Sequence, residues 1–255
     1  MEAPTPPDPG RFDDGAVVDA YREVDGLTPC ERHLVEAHVP HGADVLDLGV
    51  GTGRTVGELR ARAGTYVGID LAPRMVEVAR RRHPEADLRV GDATELPDVA
   101  DASVDAVLWS YNGLDYVADA ARRRAWAECR RVLRPGGCVI ASSHDPRAVL
   151  AAPPRGGSSP ARWAAVTLLM TGRRLARGLR HGVLWRGHGW VVDPAWGGLP
   201  THMATPARVR DEVRAAGLEV VEVRHGDEPR RALVGRTPWW YYVARPAGTG
   251  TPRSR

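Results

Sequence analysis

The sequence predicts an α/β protein with a seven-stranded, mostly parallel sheet covered by helices on both faces. Short apolar segments alternate with amphipathic ones over roughly 100 residues, which is typical of strands joined by crossover helices. A glycine-rich turn directly follows the first apolar segment. The last two apolar segments are separated by only about a dozen turn-like residues, too few for a crossover helix. These two are therefore expected to pair as a hairpin, with an antiparallel last strand.

The predicted elements follow one another along most of the chain. Strands are expected where short apolar runs are bounded by turn residues, at 43–48, 65–70, 87–91, 104–110, 138–141, 219–224 and 238–245. Helices are expected where apolar residues recur on one helical face, at 29–39, 54–63, 73–82, 117–133 and 205–216. Pro73 suits the first turn of its helix, where the missing N–H costs nothing.

The domain organisation follows from what these elements leave over. Residues 29–245 are expected to form one domain, preceded by a partly disordered segment, 1–28, and followed by a disordered tail, 246–255. Residues 146–204 are too many for a plain connection and predict an insertion after strand five. Between residues 146 and 192 this insertion carries eight arginines and no acid. We interpret it as a lid over the sheet edge; a surface for anionic lipid, a nucleic-acid contact and a solvated helix pair are the alternatives.

The composition excludes several classes of protein. With 35 basic and 32 acidic residues, the formal charge of +3 is too small to indicate nucleic-acid binding by itself. The three cysteines form no close pair, so neither a dithiol motif nor a metal site is predicted. No apolar run approaches the roughly 20 residues of a membrane span, and the N-terminus lacks the pattern of a secretory signal. A cytoplasmic protein is therefore expected.

The strongest local signal is the turn after the first strand, where Gly49, Gly51 and Gly53 alternate. Glycine allows a tight turn and lets a ligand approach the backbone without a Cβ in the way. A dinucleotide-binding turn would carry another glycine at the position of Arg54. This difference, and the lack of a Tyr-x-x-x-Lys pair in a chain without lysine, disfavour a nicotinamide-dependent oxidoreductase.

Three acids end the first three strands of the predicted sheet. They are Asp47, Asp70 and Asp92. Because the carboxyl ends of neighbouring parallel strands meet at one edge, the three carboxylates are expected near the glycine turn. Asp70 stands 17 residues after Gly53, where a carboxylate can accept hydrogen bonds from both hydroxyls of a ribose.

These features together resemble a known family. The run Val45-Leu-Asp-Leu-Gly-Val-Gly-Thr-Gly is similar to motif I of the class I S-adenosylmethionine-dependent methyltransferases, which have a Rossmann-like fold. Gly91-Asp-Ala resembles the family's adenine-binding motif, and Arg131-Val-Leu-Arg-Pro-Gly-Gly its turn before strand five. The resemblance covers about residues 29–143 and the final hairpin.

The resemblance implies S-adenosylmethionine as the cofactor and a set of residues that bind it. Asp47 would face the ammonium group of the cofactor, Asp92 the adenine amino group, and Tyr21 would close over the bound molecule. The whole set comprises Tyr21, Asp47, Gly49, Gly51, Gly53, Asp70, Leu71, Met75, Asp92, Ala93 and Ser110.

Methyl transfer from a sulfonium is an in-line displacement, so holding the acceptor in line is the main task. A base is needed only where the acceptor must lose a proton. His144, just past strand five, is the first candidate and His202 the second, because imidazole titrates near neutral pH; a loop or capping role is the alternative for each. The predicted acceptor contacts are Tyr111, Asn112, Tyr116, Trp190 and Met203.

The expected function is methyl transfer to an oxygen or nitrogen of a small molecule by a monomer or homodimer, without a stable nucleic-acid partner. A nucleic-acid methyltransferase is an alternative that the arginine-rich insertion favours, although no Asn-Pro-Pro-Tyr-type motif follows strand four. A non-catalytic cofactor-binding protein is the other alternative.

Overall fold

The computed structural model describes residues 8–147, 159–180, 182–192, 199–226 and 239–248. The helices in these ranges are α1 (Gly15–Arg22), α2 (Pro29–His38), α3 (Val56–Arg62), α4 (Pro73–Arg82), α5 (Asp119–Val132), α6 (Pro160–Arg180), α7 (Val183–Arg186) and α8 (Pro206–Ala215). The strands are β1 (Asp44–Leu48), β2 (Thr65–Asp70), β3 (Asp87–Val90), β4 (Val104–Trp109), β5 (Leu133–His144), β6 (His188–Val192), β7 (Pro200–Ala204), β8 (Leu218–His225) and β9 (Trp239–Pro246).

The main sheet has the strand order β3-β2-β1-β4-β5-β9-β8. Its strands run parallel from β3 to β5, whereas β9 is antiparallel to both β5 and β8. This confirms the predicted Rossmann-like, mostly parallel sheet with an antiparallel last strand.

The prediction of seven strands is wrong, because the insertion contributes two more. β6 and β7 form an antiparallel hairpin, and β7 pairs in parallel with β5 at His144 and Met203. Ala141 is the last residue of β5 that pairs with β4, where its partner is Trp109. β5 continues for three residues beyond it. β9 pairs with one side of this extension. The hairpin pairs with the other side, which β4 does not reach.

The sheet is buried between two helical layers because alternate residues of each strand face opposite sides. Leu46 and Leu48 of β1 belong to one apolar core with α5 and α8. Val45 belongs to a second core with α2, α3 and α4. The carboxyl edge of the parallel strands is left for the candidate site.

The N-terminal segment contains a helix, α1, that the sequence did not predict. Asp14 caps α1 by accepting a hydrogen bond from the Ala16 N–H at 2.9 Å. Val18 of this helix packs against Met75 and Val78 of α4. The helix thereby holds Tyr21 near the carboxyl edge. With Val18 as its one fully buried residue, α1 has too weak an apolar pattern to be predicted.

The longest helix, α6, comprises 21 residues of the arginine-rich insertion. Leu168, Leu175 and Leu179 lie exposed along it. Within the described ranges no helix combines the length and hydropathy that a membrane span needs.

Candidate functional site

A cavity opens at the carboxyl edge of the sheet, beside the ends of β1, β2 and β4. Nine of the eleven residues predicted to bind the cofactor line it. Those that line it are Tyr21, Gly49, Gly51, Asp70, Leu71, Met75, Asp92, Ala93 and Ser110. Of the predicted acceptor contacts, Tyr111 and Tyr116 line it as well. The fold thus brings together groups from five separate segments of the chain.

The glycine turn forms one wall of the cavity through its backbone. Gly49 and Gly51 have φ of +68° and +55°, in the left-handed region that favours glycine. A Cβ added at Gly51 would meet no protein atom within 4 Å. Since Gly51 lines the cavity, this open space is where a ligand can lie against the main chain.

Gly53 serves the fold rather than the cavity. It does not line the cavity, in contrast to the prediction. A Cβ at this position would lie 2.8 Å from Cδ2 of His83 and 3.3 Å from Cα of Ala79. The missing side chain therefore lets the turn pack closely on the end of α4.

Asp70 connects the end of β2 to the glycine turn. One carboxylate oxygen accepts a hydrogen bond from the Gly51 N–H at 2.8 Å, and the other accepts one from the Ala72 N–H at 2.9 Å. Burial raises the pKa of this carboxyl, and the backbone hydrogen bonds oppose the rise in part. Each oxygen can accept a further hydrogen bond, which suits the two hydroxyls of a ribose.

Asp92 and Ala93 border the cavity after β3. The Asp92 carboxylate accepts a hydrogen bond from the Thr94 N–H at 2.8 Å, which fixes the turn. An acid and a backbone N–H therefore stand together at this end of the cavity, as recognition of an adenine edge requires.

Asp47 lies beneath the glycine turn and does not line the cavity. Its carboxylate accepts hydrogen bonds from the hydroxyls of Thr55 and Tyr66, which hold it inside the protein. Burial raises its pKa to about 6 in spite of these two hydrogen bonds. The predicted contact with the ammonium group of the cofactor is therefore not supported by the geometry.

Replacing Asp47 with asparagine is expected to stabilise the protein at neutral pH. A carboxyl with a folded pKa of about 6 against an ordinary value of 3.8 stabilises the fold while it is protonated, and this contribution is lost as the pH rises through 6. Asparagine keeps an acceptor oxygen without the charge. Denaturant unfolding should show a gain on the order of 2 to 3 kcal/mol at pH 7.5 that shrinks toward pH 4. A variant no more stable than the parent at pH 7.5 would contradict this account.

Arg54 is a cavity residue that the sequence interpretation missed. Its guanidinium donates two hydrogen bonds to Glu31, at 2.8 and 2.9 Å, and one to Oγ of Ser110 at 2.9 Å. It also lies 4.8 Å from the ring centre of Tyr111. Burial alone would raise the pKa of Glu31, but the Arg54 charge lowers it overall. The site thus contains a buried ion pair of Arg54 and Glu31 next to Ser110, in which each charge neutralises the other.

Three tyrosines, Tyr21, Tyr111 and Tyr116, form a further part of the cavity wall. Tyr21 and Tyr111 are in edge contact with ring centres 6.2 Å apart, and the Tyr21 and Tyr116 hydroxyls lie close to one another. Burial raises the pKa of Tyr21 and Tyr116 above the ordinary value, so both stay protonated at neutral pH. The wall is therefore apolar with hydroxyl groups at fixed positions.

The predicted base His144 lies behind this wall and does not line the cavity. Its Nδ1 is 2.8 Å from the Asp115 carboxylate, which also accepts a hydrogen bond from the His144 N–H at 2.6 Å. The Trp239 ring contacts both His144 and Tyr111 and so stands between the histidine and the cavity. Asn112 is likewise buried away from the cavity, with its N–H donated to Oγ of Ser142.

The predicted site residues of the insertion lie in the β6–β7 hairpin, away from the cavity. Burial lowers the pKa of His202 to about 2, which makes this histidine a poor base. Trp190 contacts the His202 ring, and Met203 packs with Val183 and Val191. No residue from the described part of the insertion lines the cavity, so the arginine-rich lid is not confirmed.

Comparison with known proteins finds methyltransferases among the proteins that are similar to this chain. Residues 45–137 match the family described as methyltransferase domain. The demethylmenaquinone methyltransferase of Paenarthrobacter aurescens is 45% identical over 111 residues, which are 43% of this chain and 42% of that protein. The chain covers less than half the length of the curated relatives it matches.

Solved structures share the fold at low sequence identity. The CcbJ methyltransferase of Streptomyces caelestis superposes with a TM-score of 0.64 and 21% identity, over 94% of this chain and 100% of that one. The 1,6-didemethyltoxoflavin-N1-methyltransferase of Burkholderia thailandensis was solved with S-adenosylhomocysteine. It superposes with a TM-score of 0.55 and 18% identity, over 84% of this chain and 75% of that one. Residues 45–137 therefore match a methyltransferase domain, and the fold is shared with S-adenosylmethionine-dependent methyltransferases, which confirms the resemblance of the motifs.

Proposed function

We propose that this chain transfers the methyl group of S-adenosylmethionine to an oxygen or nitrogen of a small-molecule acceptor. The observation that carries the proposal is the cavity itself, which is lined by a bare glycine backbone, strand-end carboxylates and a wall of tyrosines. Two similar proteins are named for small substrates, demethylmenaquinone and 1,6-didemethyltoxoflavin.

The residues at the carboxyl edge fit the parts of this cofactor. Asp70 would accept hydrogen bonds from the ribose hydroxyls, Asp92 would accept one from the adenine amino group, and Met75 would supply apolar contact to the adenosine. The bound cofactor supplies a methyl group already activated by its sulfonium. Oγ of Ser110 accepts a hydrogen bond from Arg54, so the Ser110 hydroxyl hydrogen can donate to a group in the cavity.

The tyrosine wall would position the acceptor and exclude water. Tyr21 and Tyr116 stay protonated, so they donate hydrogen bonds and do not take up the proton of an acceptor. Placing the acceptor atom in line with the methyl group can contribute on the order of 7 to 11 kcal/mol. His144, oriented by Asp115, stays our candidate base for acceptors that extend past Trp239.

Cofactor binding tests this proposal, with Asp70→Asn as the deciding variant. The wild-type chain is expected to bind S-adenosylmethionine and S-adenosylhomocysteine in calorimetric titrations. Asparagine keeps one acceptor oxygen but loses the charge, which should weaken binding by about 1.5 to 3 kcal/mol. Asp98→Asn, at an exposed acid outside the cavity, should bind like the wild type. Equal affinities of the Asp70 and Asp98 variants would refute the assignment of Asp70.

Two other functions predict different results with the same preparation. A nucleic-acid methyltransferase would bind RNA with an affinity that falls steeply as salt increases. A non-catalytic cofactor-binding protein would bind the cofactor tightly and yet yield no methylated product with a broad panel of phenols and amines. The proposal requires product from at least one such acceptor.

A further inference from the structure

A second polar cluster lies outside the cofactor cavity, where the β6–β7 hairpin meets the first residue of α5. His188, His202 and Asp119 each place one ligand atom within 4.8 Å of the other two. Trp190 pairs with His202 and His188 with Ala204, so the two histidines are diagonal neighbours on one face of the hairpin. Their ring centres are 6.1 Å apart.

The hydrogen-bonding capacity of the His202 side chain is not fully used by its protein neighbours. It is only 1% exposed, and its Nδ1 is buried without a hydrogen-bond partner in the described part of the chain. Its Nε2 is 3.5 Å from a carboxylate oxygen of Asp119, longer than a good hydrogen bond. A buried polar group with unmet hydrogen-bonding capacity needs an explanation, and a bound ion is one of the usual ones.

The charged groups around the cluster are largely paired with one another. Arg122 is nearby, but it is paired with Asp115 at 3.2 Å and with Glu212 at 3.0 Å. Arg208 lies 3.7 Å from the same Glu212. With Arg186, which also lies near His188, three guanidinium groups stand against the carboxylates of Asp115, Glu212 and Asp119, so the surroundings are close to neutral. This arrangement leaves the Asp119 carboxylate for a further positive group.

We propose that Asp119, His188 and His202 bind a divalent transition-metal ion such as zinc. Two imidazoles and one carboxylate are a ligand set that zinc accepts, with water at the remaining position. Side-chain rotations would bring the three donors to about 2.0 to 2.2 Å from the ion. Asp119 is half exposed, which gives the ion a path from solvent.

The bound ion would fasten the hairpin to α5 beside the cofactor cavity. Thr201, the neighbour of His202 on β7, lies close to Tyr116 of the tyrosine wall. The hairpin otherwise joins the main sheet through the one pair formed by His144 and Met203. A metal at this point would therefore order the hairpin, whether or not methyl transfer occurs.

Metal titration of the chelator-treated full chain tests the proposal without cofactor or acceptor. Zn²⁺ alone should bind with one ion per chain in calorimetry and raise the melting temperature, and Co²⁺ should give visible absorption bands of a nitrogen- and oxygen-ligated ion. His188→Ala and Asp119→Asn should each weaken Zn²⁺ binding about tenfold or more. His33→Ala, at an exposed histidine of α2, should bind Zn²⁺ like the wild type.

The deciding variants are His188→Ala and Asp119→Asn, because both positions are partly exposed and these chains are expected to fold. Absence of a single-ion isotherm, or equal Zn²⁺ affinity of these two variants and the wild type, would overturn the proposal. Cofactor titration of the same samples is a separate readout. It would detect a failure of the methyltransferase assignment independently of the metal result.

Discussion

Asp115→Asn is expected to lower the free energy of unfolding by about 3 to 5 kcal/mol, the cost of breaking a buried ion pair. The Asp115 carboxylate is fully buried and accepts hydrogen bonds from Arg122 at 3.2 Å and from the Ser143 hydroxyl at 2.6 Å. It also accepts the His144 N–H at 2.6 Å. The NH2 group of an asparagine would face groups that are themselves hydrogen-bond donors. Arg122 would then keep Glu212 as its one negatively charged partner among these residues.

The matched control for this prediction is Asp101→Asn. Asp101 also pairs with an arginine, Arg131, but its side chain is 78% exposed. Exposed pairs of this kind contribute about 0 to 1 kcal/mol, so the control should unfold almost like the wild type. Urea unfolding of both variants at pH 7 measures the difference. A loss below about 1 kcal/mol for Asp115→Asn would show that the buried network is not important for stability.

The sequence predicted those elements whose local pattern and packing agree. β2 and α4 have the predicted bounds, because an apolar run ends at an acid in one and proline opens an amphipathic repeat in the other. β6 was not predicted, since His-Gly-Trp-Val-Val has no clear alternation. Its strand conformation depends on pairing with β7 and on the extension of β5, and neither is visible in a local pattern.

In the site, the groups found by sequence are those whose position depends on topology alone. Asp70 and Gly51 lie at strand ends, and parallel strands bring such ends to one edge. The direction of a side chain depends instead on partners distant in sequence. Asp47 is held inside by Tyr66, and Arg54 is held at the cavity by Glu31, 23 residues before it in the chain. Asp115 was missed because its partners come from β5 and α5.

Gly51→Val is expected to abolish cofactor binding while the protein still folds. The backbone at Gly51 has a φ of +55°, and an added Cβ would enter open cavity space with no protein atom within 4 Å. The branched side chain would therefore occupy the volume that we assign to the cofactor. Calorimetry should show the affinity for S-adenosylhomocysteine reduced by about 100-fold or more, equivalent to about 2.7 kcal/mol.

Backbone strain alone must be separated from this steric effect, and Gly136→Val does so. Gly136 has a φ of +85° and also has no atom within 4 Å of an added Cβ, but it lies at the amino end of β5 and does not line the cavity. A β-branched residue in the left-handed region costs on the order of 1 to 3 kcal/mol, so both variants should lose similar stability. Only Gly51→Val should lose the cofactor. If both variants bound it as the wild type does, the glycine turn would not be the wall against which the cofactor lies.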